Sequence, residues 1–285
     1  MITAHTRIAA VIGWPVEHSL SPAIHNAWFS HIGSDWAYVA FPVASTHLES
    51  AIQGVRALSI GGLSVTMPHK EDIIQYLDQV DDIANTLRAV NCVGVQEGRL
   101  VGTNTDGDGC CDAIESQTTV ALNGKDVAVL GAGGTARAIA SALMRRGAHV
   151  HVVNRSETRA HELVEMCQSI KNSTTTPVGS VVASAVEIIA DCEVIVNATS
   201  VGMNTSEHPC DVALIDSSAV VMDAVYSPLR TSWLNAAEAQ GAVVVDGLWM
   251  LIHQAMRQQE WWFGVTPDPT IMRMAAEREL AHRRQ

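Results

Sequence analysis

Through the first hundred residues, short apolar and β-branched runs alternate with segments whose apolar positions recur every three or four residues, the pattern of strands alternating with helices. Arg7 to Ile12 reads as a strand. The next helix is expected to open with Ser21 as its N-cap and Pro22 at its first position, and to close at Gly33. Trp36 to Phe41 is aromatic and β-branched, the composition of a second strand. Thr46 and Glu49 have the spacing of a capping box ahead of an apolar-periodic helix. A strand at Gly62 to Thr66, helices after Pro68 and Asp81, and a hairpin from Val90 to Thr103 turning near Gly98 complete this block.

A second series starts after Asn123-Gly124. It reads as strand Asp126 to Leu130, helix Gly134 to Arg146, strand His149 to Asn154 and helix Glu157 to Ile170. A short strand is expected within the polar, low-charge stretch Asn172 to Val182, and further strands near Val194 to Asn197, Val220 to Asp223 and Val243 to Val245. Six parallel strands fit a doubly wound sheet. After Gly247 two helical patterns remain, Leu248 to Gln259 and Thr270 to Arg283, with no strand to follow them. They are expected to pack back on the first block and make it discontinuous. The chain carries no internal repeat and no low-complexity tract.

Composition narrows the choice of partner. The chain has 285 residues, 47% of them hydrophobic, with 18 Lys and Arg against 30 Asp and Glu and a net charge of −12. That composition excludes disorder, and the length favours two domains over one. An acidic balance with no Lys/Arg run argues against nucleic acid or an anionic membrane as partner, leaving a small molecule. Six cysteines without a CxxC pair read as reduced thiols of a cytoplasmic protein. The apolar stretch Ile8 to Ile12 is too brief for a signal peptide, and no apolar run reaches the length of a bilayer span. No metal site is expected, since HExxH is absent and His149 and His151 share a face of a strand.

The segment Gly131-Ala132-Gly133-Gly134-Thr135-Ala136 directly follows the strand DVAVL and opens a helix. There Gly131 permits a tight turn, Gly133 lets a pyrophosphate approach the backbone, and small Ala136 lets helix and sheet pack closely. A nicotinamide dinucleotide is the implied ligand, on a Rossmann-type domain. An NAD site would place Asp or Glu at the end of the second strand to accept from the ribose hydroxyls. This chain places Asn154-Arg155-Ser156 there, with Arg159 one turn on, cations suited to a 2′-phosphate, so NADP is the expected cofactor. The fold class is α/β in two domains, a doubly wound nucleotide domain and an α/β substrate domain completed by C-terminal helices. The expected boundaries are 1–106 for the substrate domain, 107–246 for the nucleotide domain and 247–285 for the returning helices.

Three polar clusters stand where strands end: His18-Ser19-Leu20-Ser21-Pro22, Ser64-Val65-Thr66-Met67-Pro68-His69-Lys70, and Gly102-Thr103-Asn104-Thr105-Asp106-Gly107. Ligands of open α/β sheets bind outside the carboxyl ends of strands, so these exits form a candidate pocket wall. With His25-Asn26 after the first of these clusters, the Ala89-Val90-Asn91 triplet, the glycine turn, Asn154-Arg155-Ser156, Asn197 to Met203, Asp223 to Pro228 and Gly247 to Gln254, the chain resembles shikimate dehydrogenases from end to end.

The resemblance implies NADPH-dependent, reversible reduction of 3-dehydroshikimate to shikimate, in the pathway that leads through chorismate to the aromatic amino acids. It implies that Ser19 and Ser21 bind the substrate carboxylate, with Tyr226 beside them. Thr66, Asn91, Asp106 and Gln254 match positions that hold ring hydroxyls, and Lys70 matches the catalytic lysine, a proton shuttle paired with Asp106. An ammonium there stabilises the alkoxide formed by hydride addition and supplies its proton. Thr199 belongs to the strand-end loop beneath the nicotinamide, and Gly247 with Met250 to the segment closing over it. Ser64 stands where many members of the family carry Asn. Two other readings stand beside this one: a dehydrogenase of dual quinate and shikimate specificity, and a non-catalytic NADP-responsive regulator. The seven tryptophans, including adjacent Trp261 and Trp262, fit either docking of the C-terminal helices or a subunit interface, so monomer and homodimer both stay open.

Overall fold

The computed structural model describes residues 2–172 and 179–283. They form two compact units, 1–105 together with 255–285, and 106–254.

The first unit begins with strand β1 (Arg7–Gly13), helix α1 (Ser21–His31), β2 (Trp36–Pro42), α2 (Leu48–Ala57) and β3 (Gly62–Val65). A short β4 (Gln79–Val80), α3 (Asp82–Leu87), β5 (Cys92–Gln96) and β6 (Arg99–Thr103) follow. The sheet order is β2-β1-β3-β5-β6-β4. Strands β2, β1 and β3 run parallel, while β5 is antiparallel to both β3 and β6. The hairpin turns through Glu97 and Gly98, both at positive φ (50° and 78°), the backbone that matches strand twist in a tight hairpin. Ile12, Leu63, Val65, Ile52 and Ile73 meet in the core.

Two helix starts differ from the sequence expectation. The N-cap of α1 is Leu20, with no side-chain cap, because Ser21 already lies inside the helix; Pro22 sits in its first turn, where a missing N–H is harmless. The capping box of Thr46 and Glu49 does not form. Residues Ser45–His47 make a 3-10 turn that runs straight into α2, whose N-cap is His47, so Thr46 is not placed to cap. After Pro68 the chain makes only a 3-10 turn, Asp72–Tyr76.

The second unit carries α4 (Asp106–Gln117), β7 (Asp126–Leu130), α5 (Gly134–Arg145), β8 (His149–Val153), α6 (Glu157–Asn172), β9 (Ser180–Ala183), β10 (Val194–Asn197), β11 (Val220–Asp223), α7 (Ser232–Ala239) and β12 (Val243–Val245). Its sheet order is β12-β11-β10-β7-β8-β9, with every pairing parallel. This is the doubly wound order, reversing direction between β7 and β10. Residues 173–178, part of the stretch expected to hold a short strand, lie outside the described residues; β9 follows them. Trp233 and Leu234 of α7 are fully buried against Ile195 and Val221.

Helix α8 (Gly247–Phe263) starts in the second unit and ends in the first, so the chain returns to its first unit between Gln254 and Ala255. Helix α9 (Pro269–His282) then packs on α1. Trp262 donates from its indole to the Val93 carbonyl at 3.0 Å. The Trp261 and Trp262 rings lie over Gly62 and Gly94, where an added Cβ would fall within 2.6 Å and 2.7 Å of them. Among the described residues no helix is long and apolar enough to cross a membrane, and all six cysteines are free and buried. Burial pushes the Cys110 thiol up to about 12.

Candidate active site

Parallel pairing of β1 with β3, and the antiparallel register of β5 with β3 (Ser64 opposite Cys92) and with β6 (Cys92 opposite Thr103), bring the exits of β1, β3 and β6 and the entry of β5 to one end of the first sheet. Ser19, Ser21, Thr66, Lys70 and Asn91 therefore share that end.

The loop after β1 is tied down at several points. Ser21 N–H donates to Ser19 Oγ at 3.2 Å, and Arg283 at the end of α9 donates to the carbonyls of His18 and Ser19 at 2.6 Å and 3.1 Å. Thr66 N–H donates to Ile12 O at 3.0 Å, and Val90 N–H donates to Lys70 O at 2.8 Å. His69 is fully buried and its Nε2 lies 2.6 Å from Val43 O, which anchors the segment carrying Lys70. Asn91 Oδ1 accepts from Thr105 N–H at 2.8 Å, and its Nδ2 donates to Thr105 Oγ1 at 3.0 Å. Asp106 follows Thr105 directly and is the first residue of α4.

Behind this wall, and joined to it at Ser64, runs a hydrogen-bonded row whose partners Tyr38 and Gln258 sequence reasoning missed. The Tyr38 hydroxyl donates to Ser64 Oγ at 2.6 Å, and Ser64 donates to Gln258 Oε1 at 2.5 Å. Gln258 Nε2 donates to Asn91 O at 3.3 Å. The Tyr38 ring stacks on His25 at 4.2 Å, and His25 Nδ1 accepts from Gln259 Nε2 at 2.7 Å. Burial lowers the His25 pKa to about 3, so the ring is neutral, and burial raises the Tyr38 phenol far above its ordinary value. The spacing of Gln258 and Gln259 after Gln254 gave no sequence signal for this row.

In the second unit the candidate cofactor residues gather at the carboxyl ends of β7, β8, β10 and β11. Gly131 turns the chain at φ 115°, and a Cβ there would lie 2.9 Å from the Thr199 methyl. Around Gly133 and Gly134 the space is open for 4 Å, and α5 begins at Gly134 with no side-chain cap. Its first N–H groups thus remain directed at whatever meets the turn, and a pyrophosphate fits there. Ala132 and Thr135 are half-buried and Ala136 is buried against the sheet.

At the end of β8, Asn154 Nδ2 donates to Ser156 O at 2.9 Å, and Ser156 Oγ accepts from Arg159 N–H at 3.4 Å. Arg155 and Arg159 are exposed and, among the described residues, have no ion pair. Two guanidinium groups without acidic partners suit a 2′-phosphate. Asn197 Oδ1 accepts from the Thr199 backbone and hydroxyl at 3.0 Å and 2.7 Å, while its Nδ2 donates to Asp223 Oδ1 at 2.9 Å. Gly247 lies against the carbonyls of Asp223, Ala224 and Val225, beside half-buried Tyr226. Met250 is 8% exposed, a buried side chain on α8, and Gln254 Nε2 donates to Leu251 O at 2.7 Å. His149 and His151 pair with Ser180 and Ser184, and His151 also reaches Asp126. Among the described residues, no group of three His, Cys, Asp or Glu side chains is placed to hold a metal.

Residues 11–93 match the shikimate dehydrogenase substrate binding domain, 113–208 the shikimate/quinate 5-dehydrogenase domain, and 247–277 the shikimate 5′-dehydrogenase C-terminal domain. The chain belongs to the shikimate dehydrogenase family. The shikimate dehydrogenase (NADP(+)) of Thermococcus kodakarensis is 42% identical over 276 residues, covering 97% of this chain and 98% of that protein. The crystal structure of shikimate 5-dehydrogenase from Thermus thermophilus in complex with NADP(H) and shikimate has a TM-score of 0.86 at 36% identity, covering 95% of this chain and 99% of that one. Quinate dehydrogenase from Corynebacterium glutamicum in complex with NAD has a TM-score of 0.85 at 30% identity, covering 95% and 98%.

Proposed function

We propose that this chain reduces 3-dehydroshikimate reversibly to shikimate, with NADP(H) as cofactor. The observation that carries the reading is the set at one end of the first sheet: neutral donors and acceptors from Ser19, Ser21, Thr66 and Asn91 beside the ammonium of Lys70. A ring with one carboxylate and three hydroxyls needs many neutral partners and one proton donor, and this set offers both.

The glycine turn at Gly131 to Ala136 would hold the pyrophosphate, Arg155, Ser156 and Arg159 the 2′-phosphate, and Thr199, Gly247 and Met250 the nicotinamide end. NADPH, when bound, supplies the hydride. As hydride adds to the carbonyl carbon, negative charge grows on the oxygen; Lys70 stabilises that charge and transfers a proton to it, and takes the proton back in the oxidative direction. Asp106 pairs with Lys70 in this shuttle and binds a ring hydroxyl. Thr66, Asn91 and Gln254 hold the remaining hydroxyls, and Ser19, Ser21 and Tyr226 the carboxylate. The unit 1–105 with 255–285 serves the substrate and the unit 106–254 the nucleotide. Six buried free thiols suit a reducing cytoplasm.

The test is nicotinamide absorbance at fixed enzyme with shikimate or quinate and NADP or NAD. Turnover with shikimate and NADP is expected to be the fastest of the four. Faster turnover with quinate, or none with any pair, overturns the reading.

A further inference from the structure

The donor and acceptor roles in the row behind the candidate wall are fixed from one end. Asn91 O is a backbone carbonyl and can only accept; it already takes Val65 N–H at 2.8 Å, and its second contact is Gln258 at 3.3 Å. The amide group facing it must therefore be the NH₂ of Gln258, which leaves Gln258 Oε1 facing Ser64. An amide oxygen also only accepts, so the single proton of Ser64 is committed to it, at 2.5 Å. Tyr38 must then be the donor in its 2.6 Å contact with Ser64. A serine hydroxyl has one proton and two lone pairs, and this arrangement uses the proton and one pair.

Tyr38 and Gln258 are 2% and 1% exposed, so water does not offer either group an alternative partner, whereas Ser64 retains 6%. Ser64 lies two residues before Thr66, whose N–H carries the β3 pairing one residue beyond the strand by donating to Ile12 O at 3.0 Å, so the two side chains share a face. We propose that Ser64 is a specificity-determining residue that meets the substrate only as an acceptor, and that Gln258 is the positioning residue that imposes this polarity by holding the Ser64 proton. Its ligand is a ring hydroxyl that donates. An Asn at this position would present an NH₂ as well as an oxygen and would tolerate an acceptor; Ser64 held in this row does not. The inference rests on the reading of this wall as the shikimate site.

The test compares shikimate with its two monofluoro analogues, in which one or other of the non-reacting ring hydroxyls is replaced by fluorine. Fluorine keeps the size but removes the donor. Any electronic effect of fluorine on hydride transfer is common to all variants and cancels when their ratios of kcat/KM are compared. The wild type is expected to discriminate against one analogue by about 10-fold or more, because a buried lone pair is left unpaired. In Ser64→Ala that discrimination should fall to about threefold or less, since the acceptor is gone. Gln258→Met releases the Ser64 proton, so discrimination should shrink there too, while Tyr38→Phe, which leaves Ser64 donating to Gln258, should keep it. Gln258→Leu, which likewise has no acceptor for the Ser64 proton, should lose discrimination in the same way, a check that remains if Gln258→Met does not fold. Equal discrimination in wild type and Ser64→Ala overturns the inference while shikimate turnover stands. Failure of the wild type to oxidise shikimate overturns instead the reading beneath it.

Discussion

Replacing Asp223 with alanine should destabilise the second unit and weaken NADP binding together. The carboxylate is fully buried at the end of β11. It accepts from Asn197 Nδ2 at 2.9 Å, from Val225 N–H at 3.0 Å and from Thr231 Oγ1 at 2.7 Å. Removing it leaves Asn197 with its second acceptor, Val201 O at 3.1 Å, but strands the Val225 N–H and the Thr231 hydroxyl. Each stranded buried donor costs about 1–3 kcal/mol, so the two together cost about 2–6 kcal/mol, a fall in Tm of roughly 4–24 °C for a unit of this size.

The functional part follows from Asn197, which holds Thr199 through two hydrogen bonds; with Asn197 loosened, KM for NADP should rise several-fold more than KM for shikimate. Asp223→Asn keeps the acceptor for Asn197 and Val225 and strands only the Thr231 proton, so about 1–3 kcal/mol is expected. Burial raises the Asp223 pKa above the ordinary carboxylate value. The folded state then holds this proton to higher pH than the unfolded state does, so the stabilising contribution is full below the ordinary carboxylate range and is lost as pH rises through the raised pKa. The stability gap between wild type and Asp223→Asn should therefore narrow on going from acid to neutral pH. Thermal unfolding of the three proteins across that range, with steady-state kinetics for both substrates, measures all of this. A loss below about 1 kcal/mol in Asp223→Ala, or a gap that widens with pH, refutes the reasoning.

Three further outcomes test the site itself. Lys70→Ala should lower kcat about 100-fold or more with little change in KM for shikimate, because charge stabilisation and proton transfer act mainly in the transition state; a raised KM with intact kcat in steady-state assays would make Lys70 a binding residue only. Arg155→Asp should shrink or reverse a preference for NADP over NAD of at least roughly tenfold in kcat/KM, and an unchanged ratio would place the phosphate elsewhere. Shikimate should exceed quinate in kcat/KM by roughly 10- to 200-fold, as the extra hydroxyl of quinate would be buried without a partner; comparable values would indicate dual specificity.

The doubly wound unit was legible because its signals are local and agree with one another. The run DVAVL followed by the glycine turn fixes both a strand end and a helix start, and β10, β11 and β12 are short apolar runs that announce themselves. Helix α7 was not anticipated although Thr231 caps it, accepting from Leu234 N–H at 3.2 Å; at eight residues its apolar period is too short to register. The two-residue β4 is likewise defined by pairing with β6 and by nothing in its own composition. Of the candidate site, the polar strand exits and the block from Asp223 to Pro228 were readable as motifs, whereas Tyr38 and Gln258 were not. Tyr38 and Gln258 meet Ser64 from positions 26 and 194 residues away in the chain, and such contacts leave no trace in spacing.

The late return of the chain has a bearing on how the protein is made. The faces of Gly62 and Gly94 are covered by Trp262 and Trp261, and the loop before α1 is held by Arg283. A ribosome delivers those partners only after residues 106–254 have emerged. Synthesis therefore completes the second unit first, as an uninterrupted stretch, while the first unit waits with an apolar sheet face uncovered. A messenger truncated anywhere before the codon for Trp261 yields a nascent chain whose first half stays sticky, a natural client for chaperones rather than a stable fragment.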